Sequence, residues 1–121
     1  MSNLWDETVV AITNSNHSLS DIDWIGGSDC YIDIHDFKDI AKHTYYDAGF
    51  GGQEVASDLV VVFKDGNWLA RAEYDGSEWW QYYSLPQKPV KKIVPERLSC
   101  WWGGLLSKIQ TLDEDGYPID D

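Results

Sequence analysis

The sequence predicts an α+β fold, a three- to four-stranded antiparallel sheet built as a meander and packed by two to three helices. Three observations carry this expectation. The middle of the chain holds three runs of β-branched and aromatic residues separated by two Asp-Gly dipeptides, a strong local hairpin signal. The segments on either side place apolar residues at helical spacing. Finally, 121 residues suit one domain with one core. With 43% apolar residues, seven Trp and seven Tyr, that core needs no covalent staples.

Taken in order, residues 3 to 14 set Leu4, Thr8, Ala11 and Ile12 on one helical face, with Asp6 and Glu7 near the positive end of the helix dipole. Residues 14 to 27 are turn-rich, and Asp29 to Ile34 alternates as a short strand or extended lead-in. Asp36 can cap a second helix that carries Phe37, Ile40, Ala41 and Tyr45 on one face and stops at Gly49. The stretch Gly49 to Glu54 is a connection rather than a phosphate loop. No GK[ST] follows it, and Glu54 would repel a phosphate.

Three strands follow: Leu59 to Phe63, Trp68 to Glu73 and Glu78 to Tyr83, turned at Asp65-Gly66 and Asp75-Gly76. Pro86 and Pro89 end the meander. Val90 to Val94 is expected as a further edge strand, guarded by Lys91 and Lys92. Leu105, Leu106, Ile109 and Leu112 mark an amphipathic helix. The expected organisation is one domain over 1–112 and an acidic tail over 113–121.

Charge narrows the function classes. Twenty-one acidic side chains against nine Lys and Arg give a formal charge of −12, which disfavours direct binding to nucleic acid or to an anionic membrane. Residues 1 to 60 carry eleven acids with only Lys38 and Lys42 as bases, whereas most other bases fall between Lys88 and Lys108. No apolar run approaches the ~20 residues that span a bilayer. Met1 to Asp6 has neither a basic stretch nor an apolar one, so the expected location is cytoplasmic. Carboxylates on a rigid scaffold can instead rival a polyanion for the basic groove of a protein that handles nucleic acid.

If both hairpins use two-residue loops, Phe63 faces Trp68 and Ala72 faces Trp79. Leu59, Val61, Phe63, Trp68, Ala70, Ala72, Tyr74, Trp79 and Tyr83 then form the core face. Val60, Val62, Leu69, Arg71, Glu73, Glu78, Trp80 and Tyr82 form a mixed outer face. There Arg71 lies across from Trp80, a cation–π pair, and Glu73 across from Glu78, a like-charge pair that either water screens or a basic partner satisfies. The candidate partner-binding residues are therefore Arg71, Glu73, Asp75, Glu78, Trp80 and Tyr82 on the sheet, and Asp33, Asp36 and Asp39 around the second helix.

The run Tyr74-Asp75-Gly76-Ser77-Glu78-Trp79-Trp80, preceded by Ala48-Gly49-Phe50-Gly51 and Asp58-Leu59-Val60-Val61-Val62, resembles a pattern found in small uncharacterised proteins of bacteriophages and mobile elements. The resemblance covers roughly residues 45 to 86. It implies a genomic setting in which short acidic proteins act as inhibitors, anti-CRISPR and anti-restriction proteins among them.

Other chemistry finds little support. His17, His35 and His43 are not spaced with Asp33, Asp36 or Asp39 as a metal site, and the Asp-rich runs at 21–23 and 113–115 lack a calcium ligand ladder. Cys30 and Cys100 have no CxxC partner and are expected as buried thiols. No nucleophile elbow is present. Trp101-Trp102 and the sheet tryptophans could stack on sugars, although core packing is their commoner use.

The expected function is accordingly a non-enzymatic one, without metal or cofactor. The chain is read as an acidic inhibitor, monomer or homodimer, that binds a basic nucleic-acid-binding surface of a host defence protein. The alternatives are an immunity protein that neutralises a toxin, and an assembly or adaptor subunit.

Overall fold

The computed structural model describes residues 1–49 and 51–106. The chain divides into two units, Met1–Pro86 and Gln87–Asp121, a boundary that falls inside the 1–112 span the sequence assigns to one domain. The first unit is α+β. It contains α1 (Leu4–Asn14), α2 (Ile34–Ala41) and seven strands: β1 (Ser2–Asn3), β2 (Ile22–Gly26), β3 (Tyr31–Ile32), β4 (Tyr45–Tyr46), β5 (Val60–Phe63), β6 (Trp68–Tyr74) and β7 (Ser77–Tyr83). Five strands form an antiparallel sheet in the order β3-β2-β5-β6-β7, while β1 and β4 pair as a short separate ribbon.

Helix α1 matches its sequence signal. Asn3 caps it by accepting the Asp6 N–H at 3.1 Å, and Leu4, Thr8 and Ile12 are its buried residues. Helix α2 starts earlier than expected, because Asp33 and not Asp36 is the cap and accepts the His35 N–H at 2.8 Å. It also ends earlier. Tyr45 and Tyr46 leave the helix to pair with β1, and the Asn3 side-chain amide binds the Lys42 carbonyl at 3.0 Å. The buried pair on α2 is Phe37 and Ala41, one turn apart, so Ile40 points to solvent at 64% exposure.

Two departures decide what the sheet presents. First, Ile22–Gly26, assigned by sequence to turns, is an inner strand between β3 and β5. A bulge between Ile22 and Trp24 leaves Asp23 unpaired, so Ile22 and Ile25 can both reach the core while Trp24 points to the opposite face. The bulge erases the alternation that would have announced the strand.

Second, the two Asp-Gly turns are not alike. At Asp75 (φ 52°) and Gly76 (φ 86°) both residues are left-handed, which gives the two-residue turn that was expected. At the first turn the Gly66 N–H donates to the Phe63 carbonyl at 2.9 Å and the Phe63 N–H to Asn67 at 2.8 Å. Only Gly66 (φ 90°) is left-handed there, so the loop has three residues. The Asp65 carboxylate stabilises it by accepting the Asn67 N–H at 2.9 Å. Val62, not Phe63, therefore faces Trp68.

That one-residue slip joins the inward side of β5 to the side of β6 and β7 that sequence reading turned outward. The core under the helices contains Leu59, Val61 and Phe63 together with Leu69 and Trp80, closed by Leu4, Ile12, Ile25, Phe37, Ala41, Tyr46 and Val55. Among the described residues, 90–94 form no strand. The helix expected over 105–112 and the tail over 113–121 fall largely or wholly outside them. Cys30 is exposed and Cys100 only half-buried, contrary to the expectation of two buried thiols.

Candidate interaction surfaces and the buried ion pair

The β6–β7 register places Arg71 opposite Trp80 and Glu73 opposite Glu78, the pairing expected from the Asp75-Gly76 turn. Its environment is the reverse of the one expected. The side chains of Arg71 and Glu78 are fully enclosed and joined at 2.6 Å. The Arg71 guanidinium lies between the rings of Trp80, 4.9 Å from its centroid, and Tyr46, at 5.3 Å. Trp80 is itself buried, and its indole N–H donates to the Thr8 hydroxyl at 2.9 Å. That hydroxyl in turn donates to the Leu4 carbonyl at 2.6 Å.

Glu78 anchors a loop as well as a charge. Its carboxylate accepts the Glu54 N–H at 2.6 Å and the Val55 N–H at 3.3 Å in addition to Arg71. Burial alone would raise its pKa, but these donors and the Arg71 charge outweigh burial and hold it below the ordinary carboxylate value. Tyr46 is shifted the other way, raised by burial against the opposing pull of Arg71. Arg71, Glu78 and Trp80 are thus structural, and Tyr82 is half-buried with its hydroxyl accepting the Asn67 amide at 2.8 Å.

The remaining candidates face water. Glu73 and Asp75 are exposed, and Glu73 relieves its like-charge pairing by accepting the Gly76 N–H at 3.2 Å while Glu78 turns inward. Asp33, the cap of α2, and Asp36 and Asp39 on its first two turns are exposed. Within Met1–Pro86 every carboxylate except half-buried Asp21 and buried Glu78 is exposed, whereas the only bases besides enclosed Arg71 are Lys38, Lys42 and Lys64.

Many of these acids are held by backbone donors. Asp58 accepts the Ser28 N–H at 2.9 Å, Asp47 the Gly49 N–H at 3.1 Å, and Asp21 the Ser18 N–H at 2.7 Å. Those bonds lower the pKa values of Asp58 and Asp21. Asp65 is lowered chiefly by its bond to His17.

His17 sits at the turn end of the first hairpin, its ring stacked on Phe63 at 3.9 Å. Nε2 meets the Asp65 carboxylate at 2.8 Å and Nδ1 the Ser15 carbonyl at 2.7 Å. Both neighbours are acceptors, so only the doubly protonated ring can donate to both. Burial pushes the His17 pKa down, but Asp65, Ser15 and the charge of Asp21 together raise it above 6.5.

Sequence reasoning missed the outer face of the sheet. Trp24, Val62, Trp68 and Tyr83 stand in one cross-strand row over β2, β5, β6 and β7. Trp68 and Tyr83 stack at 5.5 Å. Trp79 lies further along the same face, and Trp24, Trp79 and Tyr83 are 39%, 38% and 44% exposed. The register expected from sequence puts Trp68, Trp79 and Tyr83 in the core instead. The signal that could have corrected this is Asn67, which follows Asp65-Gly66 and suits the exit of a three-residue loop.

Among the described residues no helix is long and apolar enough to cross a membrane. Comparison with protein-family models, with curated proteins and with solved structures gives no match for this chain.

Proposed function

We propose that this chain is a non-catalytic acidic binding protein that occludes a basic, nucleic-acid-binding surface of a host defence protein, in the manner of an anti-CRISPR inhibitor. The observation that carries the reading is the one-sided surface of Met1–Pro86. Its one arginine is sealed inside against Glu78, and nearly all its carboxylates face outward. Backbone donors fix several of them in place, Asp33, Asp47, Asp58 and Glu73. A groove built for phosphates meets fixed negative charge without having to order it, so little conformational entropy opposes association.

The aromatic row on the outer sheet face supplies the apolar contact that charge lacks. Exposed Trp and Tyr on a rigid sheet are typical anchors of protein interfaces. Asp33, Asp36, Asp39, Glu73 and Asp75 are the carboxylates proposed to meet the partner. Arg71, Glu78 and Trp80 maintain the scaffold.

The test is DNA cleavage by a panel of purified CRISPR effectors and restriction nucleases, with and without the protein. The proposal expects loss of cleavage for at least one enzyme. It further expects recovery when Asp33, Asp36 and Asp39, or Glu73 and Asp75, are changed to the matching amides. Inhibition of none, or inhibition indifferent to both sets, would overturn it.

A further inference from the structure

Strand β7 is a seven-residue edge of the sheet. Its hydrogen-bond phase follows from the two-residue turn at Asp75-Gly76. Tyr74 and Ser77 exchange bonds, and so do the pairs Ala72–Trp79 and Ala70–Gln81, whereas Glu78, Trp80 and Tyr82 direct their N–H and C=O groups away from β6. The first of these is already used, since the Glu78 N–H donates to the Ala48 carbonyl at 3.1 Å. Trp80 and Tyr82 make no backbone hydrogen bond outside the ladder among the described residues. The Gln81 side-chain amide reaches the Tyr82 carbonyl only at 3.4 Å.

Beside this edge runs α1. The two elements point the same way, because Trp80 is bonded to Thr8 in the first half of α1 and the Tyr82 ring lies 5.9 Å from His17, just past its end. Between them is a groove of about 290 Å³ whose lining includes Val10, Ala11, Leu69, Trp80 and Tyr82. Among the described residues of the lining Glu7 is the only charged one, and Asn14 and Ser15 are polar residues at the far end of the helix. Val10 is 57% exposed on the helix wall. From Glu7 to Ser15 a helix rises about 12 Å, the length of roughly four residues of extended chain.

We infer that this groove binds an extended peptide segment of a protein partner, added antiparallel to β7 as a sixth strand. The segment presents apolar side chains at alternate positions toward Val10 and Ala11, and a Lys or Arg toward Glu7. An edge strand beside a helix is the geometry in which main-chain bonds give affinity and alternate side chains give selectivity. Charge selects the occupant. Glu7 and the acid excess of Met1–Pro86 favour a basic segment, and they oppose a second copy of this chain, which would bring two acidic units edge to edge. The inference does not rest on the nuclease reading, since the groove uses none of the carboxylates proposed there.

The experiment uses the full chain and capped octapeptides that alternate valine and threonine, with one central lysine or glutamate. Binding is followed by fluorescence anisotropy, and backbone amides by NMR hydrogen exchange. The expected result is saturable binding of the lysine peptide, weakened at least tenfold by Glu7→Lys or Val10→Arg, both exposed sites where the fold persists. The amides of Trp80 and Tyr82 should gain protection while those of Trp79 and Gln81, already bonded to β6, stay unchanged. No binding, equal binding of both peptides, or protection without this alternation would overturn the inference. So would self-association that protects the same amides without peptide.

Discussion

Replacing Glu78 by Gln keeps the shape of the side chain and removes its charge, which isolates the role of the ion pair. In the folded protein Arg71 would keep its place between Tyr46 and Trp80 but lose the carboxylate it is paired with. Its Nε and Nη1 already have no hydrogen-bond partner among the described residues, and a guanidinium cannot shed its proton to escape burial. Breaking a buried pair in this way costs about 3–5 kcal/mol. A unit of this size has a total stability of roughly 4–13 kcal/mol, so the loss takes from about a quarter of that stability to all of it.

Arg71→Met should cost less. The stranded Glu78 would keep the N–H bonds from Glu54 and Val55, and it can also neutralise itself by taking a proton. The loss in Arg71→Met should therefore shrink as pH falls toward 5, whereas the loss in Glu78→Gln should not. Urea unfolding followed by tryptophan fluorescence, at pH 7 and pH 5, measures both. A Glu78→Gln change below about 1 kcal/mol, the range of exposed pairs, or the opposite order of the two variants, would refute the enclosed pair.

Three further outcomes follow from the same structure. Thr8→Val removes the acceptor of the Trp80 indole N–H in a buried site, and should cost about 1–3 kcal/mol in urea unfolding. Because the pKa of His17 is raised in the fold, its charged form stabilises the protein fully below about pH 6.5. That contribution is lost as pH rises through the folded value, and His17→Gln should flatten the dependence of the urea midpoint on pH. Gly76→Ala should destabilise by at least about 1 kcal/mol, since Gly76 has φ 86° and an added Cβ would collide with the Gly51 carbonyl; an unchanged midpoint would contradict the turn geometry.

How much of this was legible in the sequence differs by element. The meander, the face of α1 and the pairing of Arg71 with Trp80 are local matters, set by turn residues and by periodicity within a few positions. The sheet faces are not. Asp-Gly is compatible with a two-residue and a three-residue loop, and the choice at Asp65-Gly66 depends on Asp65 bonding to both Asn67 and His17, the latter 48 positions away. One residue of register then exchanged core and surface for the whole of β6 and β7.

Strand β2 was hidden by its own bulge, and β1 and β4 are too short to carry a pattern. Arg71 and Glu78 look like solvent-face residues to any reading based on polarity, because their burial depends on each other and on Tyr46, a residue of a different element. For the candidate surface, the acids at 33, 36, 39, 73 and 75 are exposed, although Asp33 caps α2 where the sequence reading put it in a strand and gave the cap to Asp36. The aromatic row on the outer face became visible only through the register.

The most direct test of the acidic-decoy account is displacement of a short labelled DNA duplex from a defence nuclease that the protein inhibits, titrated at about 0.1 M and about 0.5 M salt. Over this range the screening length falls from about 10 Å to about 4 Å. The account predicts competitive displacement whose affinity drops steeply with salt, and drops again when the exposed aspartates of α2 are neutralised. Inhibition that leaves the duplex bound, or displacement indifferent to salt, would contradict it.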